Sequence, residues 1–172
     1  LTPRPQRALC LADGDGRDGL WLSKQGLIVT AVDLSAVGTD QARAHDAAAG
    51  FVVERIVADL AVWDPPSQTR WDLITLSFLH CEFAVRTRIL EHVHRWLTPG
   101  GHLILEGFSD TGLQRDSEGP KQHDLLYSVD MCRRMLGDLV IHRCDDLEVE
   151  MAQGVTHLGM GHVIRLWAQR PA

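Results

Sequence analysis

A turn built from small residues, followed by a single acidic residue, stands out near the start of the chain. Residues 12–17 read ADGDGR after a short apolar run, and Asp33 ends a second apolar run. Gly14 and Gly16 lack a Cβ atom, so backbone N–H groups at this turn can approach a ligand closely. An acid about 20 positions after such a turn can accept hydrogen bonds from ribose hydroxyls. The spacing therefore predicts a nucleotide-binding βαβ unit.

Further reactive side chains follow the fourth apolar run, where residues 77–81 read SFLHC. In open α/β sheets, ligands bind beyond the carboxyl ends of the strands. His80 is the candidate general base or substrate-orienting group, because imidazole titrates near neutral pH. The alternative interpretation is a histidine that packs in the core or contacts a cofactor. Cys81 is interpreted as a structural residue.

The elements that would position these residues alternate between strand and helix. A continuous β-branched run suits a parallel strand buried on both faces, and alternation with helices implies a parallel sheet. The chain ends in two successive strands joined by a hairpin over 151–161, so one late strand is expected to run antiparallel. The predicted strands are 7–12, 27–32, 52–58, 71–77, 102–108, 139–149 and 162–168. The predicted helices are 17–25, 35–49, 84–97 and 127–136, with a tight turn at 98–101 and a loop over 109–123.

Composition narrows the class of protein. The 172 residues carry a formal net charge of −6 and no dense Lys/Arg run, which argues against nucleic acid as a partner. No apolar stretch approaches the roughly 20 residues that cross a bilayer. The four cysteines form no C-x-x-C pair, which favours reduced thiols and a cytoplasmic protein. We expect one domain over residues 1–172; the chain starts at Leu1, and whether a segment preceding it is missing stays open.

The order of these motifs resembles that of class I S-adenosylmethionine-dependent methyltransferases, and most of all the small tellurite-resistance methyltransferases. The resemblance covers nearly the whole chain and rests on five motifs in order. They are ADGDGRD at 12–18, VTAVDLS at 29–35, ADL at 58–60, WDLI at 71–74 and LTPGGHL at 97–103. It implies a Rossmann-like α/β fold: a seven-stranded, mostly parallel sheet of order 3-2-1-4-5-7-6 with helices on both faces.

The resemblance also implies S-adenosylmethionine as cofactor, S-adenosylhomocysteine as its product, and a set of site residues. His80 is the catalytic candidate, and no metal site is expected. Asp33 would accept hydrogen bonds from the ribose hydroxyls, and Asp59 and Leu60 would bind the adenine. The alternative roles are a helix cap for Asp33 and a solvated loop acid for Asp59. The cofactor-binding residues carried over from the motifs are Ala12, Asp13, Gly14, Gly16, Arg17, Asp33, Leu34, Asp59, Leu60 and Ser77.

Three positions depart from the family pattern. Ala12 replaces the first glycine of the turn, which costs little if its φ is negative. Cys10 replaces a frequent acid of the first strand, and Asp18 replaces an asparagine that follows the turn. The first two departures lower the expected affinity for the cofactor without abolishing binding.

The expected function is methyl transfer to a small-molecule acceptor, with a thiol or a chalcogen oxyanion favoured by the family resemblance. A non-catalytic protein of the same fold that binds S-adenosylmethionine or S-adenosylhomocysteine is the main alternative. An NAD(P)-dependent oxidoreductase is less favoured, because it would usually carry a G-x-G-x-x-G turn and a Tyr/Lys or His proton relay. The only tyrosine, Tyr127, has no lysine after it at catalytic spacing. The oligomeric state is not predicted.

Overall fold

The computed structural model describes residues 4–115, 118–153 and 157–172, with backbone alone at 152–153 and 157–158. The strands are β1 (Arg7–Leu11), β2 (Ile28–Asp33), β3 (Glu54–Val57), β4 (Trp71–Ser77), β5 (Leu97–Phe108), β6 (Val140–Gln153) and β7 (His157–Gln169). The helices are α1 (Arg17–Lys24), α2 (Ala36–Ala49), α3 (Phe83–Trp96) and α4 (Val129–Met135). All seven strands belong to one sheet of order β3-β2-β1-β4-β5-β7-β6. The predicted fold class and strand order are confirmed.

The centre of the sheet is parallel, and its last strand in sequence is reversed. β1 pairs with β2 and β4 in parallel, and β4 pairs with β5 in parallel. β7 runs antiparallel to both of its neighbours, β5 and β6. The carboxyl ends of β1, β2 and β4 therefore meet at one edge of the sheet, which is where residues 12–18, Asp33 and 77–81 were expected to converge.

Helices cover both faces of the sheet, as the apolar pattern of β1 shows. Side chains alternate between the two faces of a strand. Leu9 and Leu11 join a buried cluster that contains residues of α3 and α4, whereas Ala8 and Cys10 join a second cluster that contains Leu22 of α1. A strand that must be apolar on both faces reads as a continuous hydrophobic run, which is why β1 was recognised from sequence.

Most element bounds agree with the sequence prediction, but two regions differ. Residues 98–101 were predicted as a tight turn, yet they belong to β5 as an irregular stretch between the pairs Trp71–Leu97 and Leu73–His102. Gly100 adopts φ +77° and donates its N–H to the carbonyl of Arg170, so the chain bulges without leaving the sheet. The last two strands are also longer than predicted, because β6 and β7 keep pairing with each other beyond the end of β5.

The predicted loop over 109–123 contains more structure than its polar sequence indicated. Short 3-10 helices cover Asp110–Gln114 and His123–Leu125 within and after the predicted loop. No helix in the described part of the chain is long and apolar enough to cross a bilayer.

Candidate functional site

Two cavities lie at the carboxyl ends of the central strands and share one residue, Ala12. The smaller has a volume of about 220 Å³ and the larger about 580 Å³. The smaller is lined by Ala12, Asp13, Gly14, Asp15, Arg17, Asp18, Ser77 and Phe78. The larger is lined by Ala12, Asp33, Leu34, Asp59, Leu60, Ala61, Leu79, His80, Cys81, Glu82, Val85 and Leu125. The structure thus brings nearly all sequence-predicted site residues to one place.

Gly14 forms the floor of the smaller cavity. Its backbone adopts φ +52°, and no heavy atom lies within 4 Å of the position that a Cβ atom would occupy. Its N–H donates a hydrogen bond of 2.8 Å to Oδ2 of Asp33. The turn is therefore held open over space that a bound molecule could fill, and only glycine leaves that space clear without backbone strain.

Gly16, one of the predicted cofactor-binding residues, does not line either cavity. It precedes α1 with φ +89°, and a Cβ atom here would lie 2.5 Å from Nη2 of Arg55 and 2.6 Å from Cβ of Ala42. Gly16 is thus needed for the packing of Arg55 and α2 against the turn.

Asp13 lines the smaller cavity, but its carboxylate belongs to a buried ion network. Arg55 of β3 contacts Asp13 at 2.8 Å and Asp46 of α2 at 2.6 Å, and all three side chains are almost fully buried. The Asp13 carboxylate also accepts the N–H of Gly19. Burial raises the pKa of Asp13 to about 6. The side chain of Asp13 therefore holds the turn in shape from the protein interior, and the backbone of the turn is the part that can face a ligand.

Sequence reasoning missed Arg55 and Asp46. The available signal was a single arginine inside the predicted third strand, where a cation must find a partner if it is buried.

Opposite charges lie together at the start of α1. Arg17, whose side chain is 57% exposed, forms an ion pair of 3.0 Å with Asp15. Asp18 accepts a hydrogen bond from the hydroxyl of Ser77, which joins the ends of α1 and β4. The smaller cavity thus offers one guanidinium, carboxylates and the first N–H groups of a helix, a combination suited to a zwitterion.

The acids at the ends of β2 and β3 are both held by backbone donors. Asp33 accepts the N–H of Gly14 through Oδ2 and the N–H of Ser35 through Oδ1, the latter at 2.7 Å. The helix cap of α2 is Ser35, whose hydroxyl accepts the N–H of Gly38 at 3.0 Å, so Asp33 is not the capping residue. Asp59 accepts the N–H of Ala61 at 2.8 Å.

The two leucines of the larger cavity differ in exposure. Leu60 is 6% exposed, whereas Leu34 is 68% exposed. Trp63, in the loop that follows Leu60, packs edge-on against Trp96 with 5.8 Å between ring centroids.

His80 lines the larger cavity next to an aromatic group. Its ring stacks on Phe108 with 5.3 Å between centroids and lies 6.0 Å from the ring of Phe78. Nδ1 of His80 lies 3.3 Å from the carbonyl oxygen of Leu125. Because a carbonyl oxygen only accepts, Nδ1 carries the hydrogen, and Nε2 is the basic nitrogen of the neutral ring. Nε2 has almost no solvent-accessible surface, so it exchanges a proton with an acceptor only after the ring or its neighbours move.

Neighbouring candidates are engaged elsewhere or kept neutral. Burial raises the pKa of the Cys81 thiol. Glu106 forms an ion pair of 3.1 Å with Arg165 on the neighbouring strand and does not line either cavity. The side chain of His157 lies outside the described residues. Among the described residues, no group of His, Cys, Asp or Glu is arranged to hold a metal ion.

Two non-glycine residues at the site have positive φ. Ala12 adopts φ +58° and Phe78 adopts φ +52°. The condition of a negative φ, under which alanine would cost little at position 12, is therefore not met. The N–H of Ala12 donates to the carbonyl of Val32 at 2.8 Å, which holds the backbone in this conformation. Left-handed backbone costs a residue with a Cβ atom roughly 1–2 kcal/mol. Strain of this kind is typical of functional sites.

Comparison with protein families finds a match to a methyltransferase domain over residues 8–101, which is more than half of the chain. Comparison with curated protein sequences finds no significant match.

Many solved structures share the fold, at low sequence identity. TehB from Haemophilus influenzae is 15% identical with a TM-score of 0.79, over 98% of this chain and 58% of its own. An S-adenosylmethionine-dependent methyltransferase from Clostridium acetobutylicum is 17% identical with a TM-score of 0.73, over 97% of this chain and 85% of its own. A structure concerned with conversion of a disulfide bond into a thioacetal group in echinomycin biosynthesis is 23% identical with a TM-score of 0.75, over 96% of this chain and 75% of its own.

Proposed function

The chain belongs to the methyltransferase domain family, and from this premise we propose that it transfers the methyl group of S-adenosylmethionine to a small-molecule acceptor. The observation that carries the proposal is the open space at Gly14, in a cavity that shares the lining residue Ala12 with a second cavity lined by Asp33. An elongated molecule with an amino-acid end and a nucleoside end fits this division.

The smaller cavity would hold the amino-acid end. Arg17 and the N-terminal N–H groups of α1 can bind a carboxylate, since the start of a helix carries a partial positive charge. Asp18, oriented by Ser77, can accept from an ammonium group. The replacement of the family asparagine by Asp18 thereby gains a role that its sequence position did not reveal.

The larger cavity would hold the nucleoside end. Each oxygen of the Asp33 carboxylate accepts one backbone N–H and retains a second lone-pair site for a ribose hydroxyl. Asp59 can accept from the adenine amino group, and the backbone N–H of Leu60 can donate to a ring nitrogen, as the family resemblance implies.

The acceptor would enter beside His80, Leu79 and Cys81. When bound, S-adenosylmethionine supplies an electrophilic methyl group on its sulfonium, and the protein contributes alignment and exclusion of water. Nε2 of His80 can take the proton of a neutral thiol, whereas a chalcogen oxyanion needs no base at the moment of transfer. A sulfur acceptor gains support from the similar structure concerned with a disulfide-to-thioacetal conversion.

A non-catalytic binder of the same cofactor is the second candidate, and the observation that favours it is Ala12. Ala12 lines both cavities, at a position where the family pattern has glycine. An oxidoreductase is disfavoured because the hydroxyl of Tyr127 is buried and donates to the carbonyl of Leu79.

The proposal extends to the setting of the protein. We propose one methyltransferase domain over residues 1–172, a small molecule rather than nucleic acid as partner, and a cytoplasmic location. The four cysteines of the structure are free, which supports a reducing compartment.

The test is calorimetric titration with S-adenosylhomocysteine, with NADH as the control ligand, on the wild type and two glycine variants. Gly14→Ala and Gly26→Ala both place a methyl group in open space at positive φ, but only Gly14 lines the cavity. We expect micromolar binding that Gly14→Ala weakens at least tenfold and Gly26→Ala leaves unchanged. Equal loss in both variants would contradict the proposed binding at Gly14. Turnover of a thiol and selenite panel then separates an enzyme from a binder.

A further inference from the structure

Arg86, on the first turns of α3, is an unusually placed cation. Its side chain is 1% exposed, and in the described residues neither Nε nor Nη1 has a hydrogen-bond partner. No ion pair of the described chain includes it. A buried charge without a counter-ion is costly, and a cation near a helix N-terminus also opposes the helix dipole. Features that break local rules in this way are expected where a site needs them.

The guanidinium of Arg86 is held by aromatic rings and a sulfur. It lies 4.7 Å from the ring centroid of Tyr127 and 5.8 Å from that of Phe83. Nη2 lies 3.9 Å from Sδ of Met131. A desolvated cation over an aromatic face is strongly attracted to it, so Arg86 and Tyr127 fix each other in place.

Tyr127 in turn reaches the loop that follows β4. Its ring packs where Gly107 leaves room: a Cβ atom at Gly107 would lie 2.5 Å from the ring. Its N–H donates to the carbonyl of Phe108, and its own carbonyl accepts the N–H of Asp110, so its backbone is anchored beside β5. Its hydroxyl donates to the carbonyl of Leu79 at 3.1 Å.

A second bond joins the same two segments one residue further along. The carbonyl of Leu125 accepts from Nδ1 of His80 at 3.3 Å. The segment 125–127 therefore holds the loop 79–80 at two adjacent residues. One bond is to the backbone carbonyl of Leu79, and the other is to the side chain of His80. Because the second bond places the hydrogen on Nδ1, the geometry of the loop decides that Nε2 is the basic nitrogen.

We propose that Tyr127, braced by Arg86, is a positioning residue that holds the loop 79–80 in place. In this arrangement the Leu125 carbonyl bonds Nδ1 of His80 and leaves Nε2 as the basic nitrogen. The inference rests on the proposed function, since it assumes that His80 acts on the acceptor. Tyr127 and Arg86 act through His80 and do not line either cavity.

The test is Tyr127→Phe, which keeps the ring over Arg86 and removes only the hydroxyl. We expect kcat to fall about tenfold, which corresponds to about 1.4 kcal/mol, while the Kd of S-adenosylhomocysteine changes less than about twofold. Nitrogen-15 spectra of histidine-labelled protein, with the His80 signals assigned from His80→Gln, should show a loss of the pure Nδ1–H form. Such a change of tautomer population would not follow from a general loss of stability.

The matched control is Thr98→Val, which removes a hydroxyl bonded to Asp72 at the opposite edge of the sheet. It should lower the melting temperature as Tyr127→Phe does, without changing kcat or the His80 signals. Should Tyr127→Phe not fold, Arg86→Lys serves instead, because it keeps the charge and loses the planar stack; it should shift kcat and the His80 signals in the same direction.

Unchanged His80 signals and kcat in the folded variant would overturn the positioning role. A different result would refute methyl transfer itself: wild-type protein that binds no S-adenosylhomocysteine and methylates no acceptor. In that case the His80 spectra still show whether Tyr127 sets the tautomer of His80.

Discussion

The backbone N–H of Gly14 donates to Oδ2 of Asp33 over 2.8 Å, tying the turn after β1 to the end of β2. The other carboxylate oxygen holds the N–H of Ser35, the residue that caps α2. One side chain therefore organises both halves of the proposed cofactor site: it shapes the turn at Gly14 and lines the nucleoside cavity.

Replacing Asp33 should therefore damage both halves. We expect Asp33→Ala to weaken binding of S-adenosylhomocysteine by roughly 1.5–3 kcal/mol, the range for hydrogen bonds to a charged group. Asp33→Asn should lose less, because its amide oxygen still accepts one N–H. Calorimetry measures the Kd of each, with Asp40→Ala as the control, since Asp40 is an exposed acid of α2 that forms an ion pair with Arg43 and lines neither cavity. An unchanged Kd in Asp33→Ala would refute the role of Asp33.

Ala12→Gly should stabilise the protein. Removing the Cβ atom relieves roughly 1–2 kcal/mol of strain from the left-handed backbone. Glycine also has greater conformational freedom in the unfolded chain, which destabilises the folded protein by about 0.4–1 kcal/mol. We expect a net gain of about 0.5–1 kcal/mol in the free energy of unfolding, measured with urea. Tighter binding of S-adenosylhomocysteine should accompany it if the Ala12 methyl group narrows the junction of the cavities. Destabilisation by Ala12→Gly would show that the backbone at residue 12 is not strained.

The sequence was sufficient for the fold because the central strands are apolar on both faces and the turns between them carry glycines and acids in a recognisable order. It also predicted the location of Gly14, Asp33 and His80 next to the carboxyl ends of strands, where they line the two cavities. These are local relationships, readable from residue type and spacing.

The features that the sequence did not predict depend on contacts between distant parts of the chain. The partners of Asp13 are Arg55 and Asp46, and nothing near residue 13 indicates that its carboxylate turns away from the cavity. The clamp of Tyr127 on Leu79 joins segments separated by 48 positions. The close packing at Gly16 has the same origin, since it comes from the side chain of Arg55, 39 positions away in sequence.

The stability of the Asp13 network should depend on pH. Because burial raises the pKa of Asp13 to about 6, the folded protein binds this proton more tightly than the unfolded chain, where an aspartate titrates near pH 4. The stabilisation from this proton is complete below about pH 4 and is lost as the pH rises through about 6.

Asp13→Asn cannot ionise and lacks this dependence. We expect the free energy of unfolding of the wild type, relative to Asp13→Asn, to fall by about 2 kcal/mol between pH 4 and pH 7. Urea titrations of both proteins across that range give the difference, in which the contributions of other groups cancel. Parallel pH curves would mean that Asp13 has the same pKa in both states.

His80→Ala separates chemistry from cofactor binding. His80 lines the larger cavity, whereas the donors and acids assigned to the cofactor come from other residues. We therefore expect kcat to fall by about 10²-fold, as for the loss of a general base. The Kd of S-adenosylhomocysteine should change little. His80→Gln should retain part of the packing against Phe108 without restoring kcat. His142→Ala, remote on β6, is the control and should match the wild type in both constants. If His80→Ala instead raises the Kd and spares kcat, the residue is a cofactor contact, and the acceptor is methylated without a base at this position.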